Sequence, residues 1–113
     1  MKKNLMVIAA AAGFVWTAAV SAEESAEPVN AAEIVTTVCA MCHGDDGNKM
    51  LTPETPKIGG QPADYLAKSL RDYRSGDRKN PIMAAVAQPL SDEAINALAD
   101  YFSEQESDLY TLK

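Results

Sequence analysis

The sequence predicts a small all-α fold. Two observations carry this: helical apolar spacing with capping residues at both ends of the chain's central part, and no alternating pattern that reads as a strand pair. A third is size. At 113 residues there is one compact unit and no room for a doubly wound nucleotide fold or an α/β barrel.

The first element lies outside that fold. Lys2 and Lys3 precede the apolar run Leu5 to Val20, and Val20-Ser21-Ala22 puts small residues before Glu23. This is the layout of an export signal, so residues 1–22 are expected to be cleaved after Ala22 and the protein to work in the periplasm. The alternative is an uncleaved anchor, but 16 residues fall short of the roughly 20 that span a bilayer. No membrane insertion is therefore expected after cleavage. Loss of Lys2 and Lys3 moves the net charge from −6 to −8. So acidic a chain is not expected to bind nucleic acid. The 91 residues left can bury only a modest core, and a large apolar cofactor would add to it.

Residues 23–30 read as a flexible leader, with charged, small and Pro residues. Asn30 and Glu33 form an Asn-x-x-Glu capping pattern, and a helix is expected from about Ala31 to Ala40 with Ile34, Val35 and Val38 on one side. Gly44 to Gly60 has no period and reads as a long loop, a length that usually serves function. A second helix is expected from Pro62 to Ser75, ended by Gly76, with Tyr65, Leu66, Leu70 and Tyr73 at helical spacing. Asp77 to Leu90, interrupted by Pro81 and Pro89, reads as a loop with at most a turn of helix. The last helix has Ser91 as N-cap, Asp92 and Glu93 in its first turn, and Ile95, Leu98, Ala99 and Phe102 on one face, to about Glu106. Residues 31–106 form the expected domain and 107–113 a tail.

The chemistry is concentrated in Cys39-Ala40-Met41-Cys42-His43. A Cys-x-x-Cys-His run reads as a c-type haem attachment site. On a helical turn, positions i, i+3 and i+4 share a face, so Cys39 and Cys42 can each form a thioether while His43 faces the iron. Four rivals are weaker. Zinc needs four ligands, and the chain has two cysteines and one histidine. A thioredoxin-type pair needs a βαβ setting. A plain Cys39–Cys42 disulfide is the bland reading for an exported chain. A cysteine nucleophile is not usually built with its histidine next in sequence.

A single histidine leaves the opposite iron face to methionine, the arrangement that raises the reduction potential. Met1 and Met6 lie in the signal and Met41 inside the attachment turn. Met83, 40 residues beyond His43, is the expected sixth ligand. Met50, only seven residues on, and an open site are the alternatives.

The chain resembles the class I c-type cytochromes, small monohaem periplasmic proteins and single halves of dihaem ones. The resemblance runs from about Ala31 to Phe102, through CAMCHG at Cys39, TPKIGGQPADYL at Thr55, SGDRKNPIM at Ser75 and PLSDEAINALADYF at Pro89. It implies three main helices with loops wrapped around one covalently bound haem c. The first helix would cross the last, with Ile34, Val35 and Val38 meeting Leu98 and Phe102. It further implies that the Pro56 carbonyl accepts the His43 N–H, that Ile58 packs on the ring, that Gly59 and Gly60 let backbone approach it, and that Tyr65 and Arg78 face the propionates.

The function implied is single-electron transfer between redox protein partners by a monomeric carrier, not an enzyme. Alternatives are the cytochrome subunit of a flavin- or molybdenum-dependent dehydrogenase, and a gas-binding sensor with an open sixth position. Six bases between Lys57 and Lys79 (Lys57, Lys68, Arg71, Arg74, Arg78 and Lys79) form a candidate docking patch for an acidic partner.

Overall fold

A computed structural model describes residues 10–17 and 27–109. The expected cleavage point at Ala22, leader residues 23–26 and residues 110–113 lie outside the described residues. Four helices, and no strand among the described residues, carry the fold.

Helix α1 has three consecutive parts: α-helical Ala31–Ile34, a π-helical stretch Val35–Cys39, and α-helical Ala40–His43. Asn30 Oδ1 accepts the Glu33 N–H at 3.2 Å and caps it. The Thr36 and Thr37 hydroxyls donate back to the Ala32 and Glu33 carbonyls, each at 2.8 Å, which favours a distorted turn. The helix continues three residues past the expected end and stops at Gly44, whose φ of 76° suits glycine.

Helix α2, Ala63–Ser75, starts one residue after Pro62 and ends at Gly76, with φ of 88°. Helix α3, Pro81–Ala87, replaces the loop expected there. Its start follows from Asn80 and Pro81: the Asn80 side chain accepts from the Ile82 and Met83 N–H groups, and Pro81 supplies a preset first position. Helix α4, Asp92–Ser103, begins with Ser91 Oγ accepting the Ala94 N–H, and ends three residues short of Glu106.

The core joins α1, α2 and α4. Val35, Leu66, Ala67, Ile95, Leu98, Ala99 and Phe102 form one buried cluster, with Ile34, Leu70, Cys39, Ala40 and Ile58 packed on it. Val35 therefore shares one core cluster with Leu98 and Phe102 of the last helix. Val38 does not: it is 43% exposed. The π stretch has wider turns than an α-helix and swings Val38 off the face it would share with Val35. Tyr65, placed on the apolar face of α2 by its spacing, is likewise 49% exposed.

Loop residues 44–62 are tied to α4 by backbone. Gly47 O accepts the Ile58 and Gly59 N–H groups at 2.8 and 3.0 Å, and Gly60 N–H donates to Phe102 O at 2.8 Å. Tyr101 Oη donates to Asp45 O at 2.9 Å. Gly47 has φ of 76°, and a Cβ there would sit 2.8 Å from both Ile58 and Phe102 side-chain carbons. Only glycine fits this crossing.

Candidate haem attachment site

The end of α1 presents the attachment residues. Cys39 and Cys42 are free, half-buried thiols, and His43 is buried at 7% exposure. Burial pushes the Cys39 thiol pKa up, so that side chain is held protonated. His43 Nδ1 lies 3.0 Å from Pro56 O. A proline carbonyl can only accept, so Nδ1 carries the proton and Nε2 keeps its lone pair for a metal. That bond fixes the ring's orientation and raises its basicity.

The Pro56 carbonyl is itself held. Ile58 N–H, two residues on, is pinned to Gly47 O, and Lys49 N–H donates to His43 O at 2.9 Å. The imidazole and its acceptor therefore belong to one knot of loop backbone.

Met83 is the third residue of α3 and is half-buried, with its N–H on Asn80 Oδ1 at 3.1 Å. Met50 is 54% exposed on the loop. Ile58 is half-buried against the core. The two loop glycines have protein, not open space, beside them. A Cβ on Gly59 would meet the Asn48 amide at 2.8 Å, and one on Gly60 would meet Ser107 Cβ at 2.6 Å. Gly59 lets loop residues 46–48 come close, and Gly60 does the same for the C-terminal segment.

Tyr65 and Arg78 lie together. Arg78 stacks over the Tyr73 ring at 5.0 Å and donates to Ser69 Oγ at 3.2 Å. Hydrogen bonding to Arg78 pulls the Tyr65 pKa down. Four other bases of the expected docking patch have partners within the protein. Lys57 pairs with Asp108 at 3.0 Å, Lys68 with Asp72, and Arg74 with Asp92 at 2.6 Å and with Leu90 O at 2.9 Å. Arg71 reaches Asn96 Oδ1 at 2.6 Å. Arg71 and Arg74 thus tie α2 to α4 and its approach, Lys57 ties the loop to the C-terminal segment, and the Lys68 pair lies within α2.

The residues fit a covalent haem. Two unbridged thiols three positions apart precede a buried imidazole whose Nδ1 is engaged by Pro56 O, and a thioether donor stands on a separate helix. Among the described residues, no group of three or more His, Cys, Asp or Glu could hold a metal ion, so protein side chains alone supply no zinc site there.

An all-helical fold with Cys-x-x-Cys-His at the end of its first helix defines a c-type haem protein. The family comparison gives the particular group: the Cytochrome c family profile matches residues 28–106, and the chain belongs to that family. Several of the relatives are named as cytochromes or as electron acceptors. The chain is 46% identical over 71 residues to cytochrome c-554(548) of Halomonas halodenitrificans, covering 60% of this chain and 84% of that one. It is 48% identical over 61 residues to the thiosulfate dehydrogenase electron acceptor of Stutzerimonas stutzeri, covering 54% of this chain but only 28% of that protein's length. The crystal structure of reduced cytochrome c4 from Pseudomonas stutzeri aligns with a TM-score of 0.57 at 40% identity, over 60% of this chain and 38% of that one.

Sequence reasoning missed two side chains that shape the site. Asn80 was legible: an Asn-Pro pair ahead of an apolar stretch is an N-cap followed by a first-turn proline. Asn48 carried no such signal, because its partner is 58 residues away.

Proposed function

We propose that this chain is a monomeric single-electron carrier of the periplasm. Cys39 and Cys42 form the haem thioethers, and His43 and Met83 are the axial ligands. When bound, the haem supplies a one-electron ferrous/ferric couple. The observation that carries the assignment is the buried His43, whose Nδ1–H is engaged by Pro56 O at 3.0 Å.

The chain's own residues then do three things. The Pro56 carbonyl fixes the imidazole tautomer and strengthens it as a ligand. Helix α3, started by Asn80, holds Met83, and the half-buried setting of Met83 favours it over the exposed Met50. Tyr65 and Arg78 offer two donors to the propionates, and Ile58 offers apolar surface to the ring. The apolar run 5–20 supports export, with residues 31–106 as the working domain. Among the described residues no helix is long and apolar enough to cross a membrane.

One relative is named as the acceptor for a dehydrogenase, and the partner proposed for this chain is likewise a dehydrogenase that delivers single electrons.

The test is the visible spectrum of protein matured with its haem. Covalent haem and a weak far-red band in the oxidised state are expected, with the band lost in Met83→Ala and kept in Met50→Ala. Rapid carbon monoxide binding to the reduced wild type would instead establish an open sixth position and a sensor. Stable co-purification with a dehydrogenase would make the chain an enzyme subunit. Absence of covalent haem would overturn the assignment of Cys39 and Cys42.

A further inference from the structure

Asn48 sits where three segments meet. Its Nδ2 donates to Glu106 O at 2.8 Å and to Asp46 O at 3.4 Å, and its backbone N–H donates to Asp46 Oδ1 at 2.9 Å. The amide lies directly over Gly59, where a Cβ would come within 2.8 Å of Nδ2 and 3.1 Å of Cγ. One side chain thus touches the loop that follows His43, the loop that follows Pro56, and the segment beyond α4.

Its carbonyl oxygen has a different fate. Asn48 Oδ1 is buried and has no hydrogen-bond partner among the described residues. Turning the amide over would not relieve this, because Nδ2 already faces two carbonyls that can only accept. A buried acceptor is costly to leave unpaired, so an asparagine here calls for a donor at Oδ1. Neighbouring Gly47 O holds Ile58 N–H and Gly59 N–H, and Pro56, whose carbonyl meets His43 Nδ1, lies two residues before Ile58.

We propose that Asn48 is a positioning residue for His43. It pins the loop of residues 44–49 to the C-terminal segment, and through Gly47 it keeps the Pro56 carbonyl aimed at Nδ1. Its Oδ1 takes one internal water as the missing donor. This rests on His43 being the axial ligand, as proposed above.

The experiment compares wild type, Asn48→Ala and Asn48→Ser as haem-loaded proteins. Asn48→Ser stands in if Asn48→Ala does not mature. The primary reading is hydrogen exchange of the His43 Nδ1 proton in the reduced protein by nitrogen-edited NMR. The second is the reduction potential. Loss of the pin is expected to speed Nδ1–H exchange at least tenfold, and a weaker bond to Pro56 makes the imidazole a poorer donor and raises the potential. Asn48→Ser, which keeps a hydroxyl donor, should fall between the two. A variant that melts earlier yet keeps wild-type exchange and potential would overturn the proposal and leave Asn48 a purely structural residue. Wild-type protein with covalent haem but no slowly exchanging Nδ1 proton would refute the reading of His43 itself.

Discussion

Replacing Asn80 by alanine removes one acceptor that serves two backbone donors, Ile82 N–H at 3.0 Å and Met83 N–H at 3.1 Å. Helix α3 has little else to hold its first turn. It is seven residues long, its one fully buried side chain is Ala87 at the far end, and Ile82 is 69% exposed. Isolated helices under about 12 residues are marginal in water. Losing an N-cap of this kind costs about 1 kcal/mol, which corresponds to roughly a fivefold rise in the population with that turn open. Met83 lies in the turn, so its detachment should become about fivefold more frequent by the same arithmetic. With Met83 as the proposed sixth ligand, carbon monoxide binds the reduced iron only while Met83 is off. Stopped-flow association well below gas saturation, where the rate follows the open population, should therefore run about fivefold faster in Asn80→Ala, and within about twofold of wild type in Asn80→Asp and Asn80→Ser, which still cap. If Asn80→Ala binds at the wild-type rate with an intact far-red band, the cap does not control Met83.

Leu98→Ala, at a site 2% exposed between α1 and α4, should lower stability by about 2–5 kcal/mol, read as a drop in the urea midpoint. Gly47→Ala forces a side chain into a φ of 76° against Ile58 and Phe102, and should prevent formation of the loop, read as loss of haem-loaded protein. Arg74 holds the Asp92 carboxyl below its ordinary pKa, so the pair stabilises the fold above about pH 4 and this contribution fades as pH falls through the depressed value. Asp92→Asn should therefore lose stability at about pH 6 and match wild type near about pH 2, by urea titration. Arg74→Glu should destabilise the protein rather than merely alter the salt dependence of its electron-transfer rate, because Arg74 also donates to Leu90 O.

The attachment residues were legible because their chemistry depends on local spacing. Cys39, Cys42 and His43 fall within five residues, and any helical turn brings them to one side. Helices α2 and α4 were legible for the same reason: Gly76, Ser91 and the apolar spacing act within a few residues. Helix α3 was passed over because Pro81 and Pro89 read as breakers, although Pro81 after Asn80 is a start signal. The exposure of Val38 could not be read at all. It depends on a π stretch that the spacing of Ile34, Val35 and Val38 does not announce. Lys57 and Arg74 looked free because their acids, Asp108 and Asp92, come from elsewhere in the chain.

The π stretch at Val35–Cys39 acts as a phase shift between the two ends of α1. One residue of α-helix corresponds to a rotation of about 100°. On one side of the stretch Val35 is set into the core, and on the other the imidazole is set against Pro56 O. Deleting any one residue between them would leave a regular helix with better hydrogen bonding, yet its two ends would be out of angular register. Either Val35 would leave Leu98 and Phe102, or His43 would leave Pro56. The irregular turn is thus a length constraint. This helix should tolerate substitutions at Thr36 and Thr37 far better than the loss of either residue.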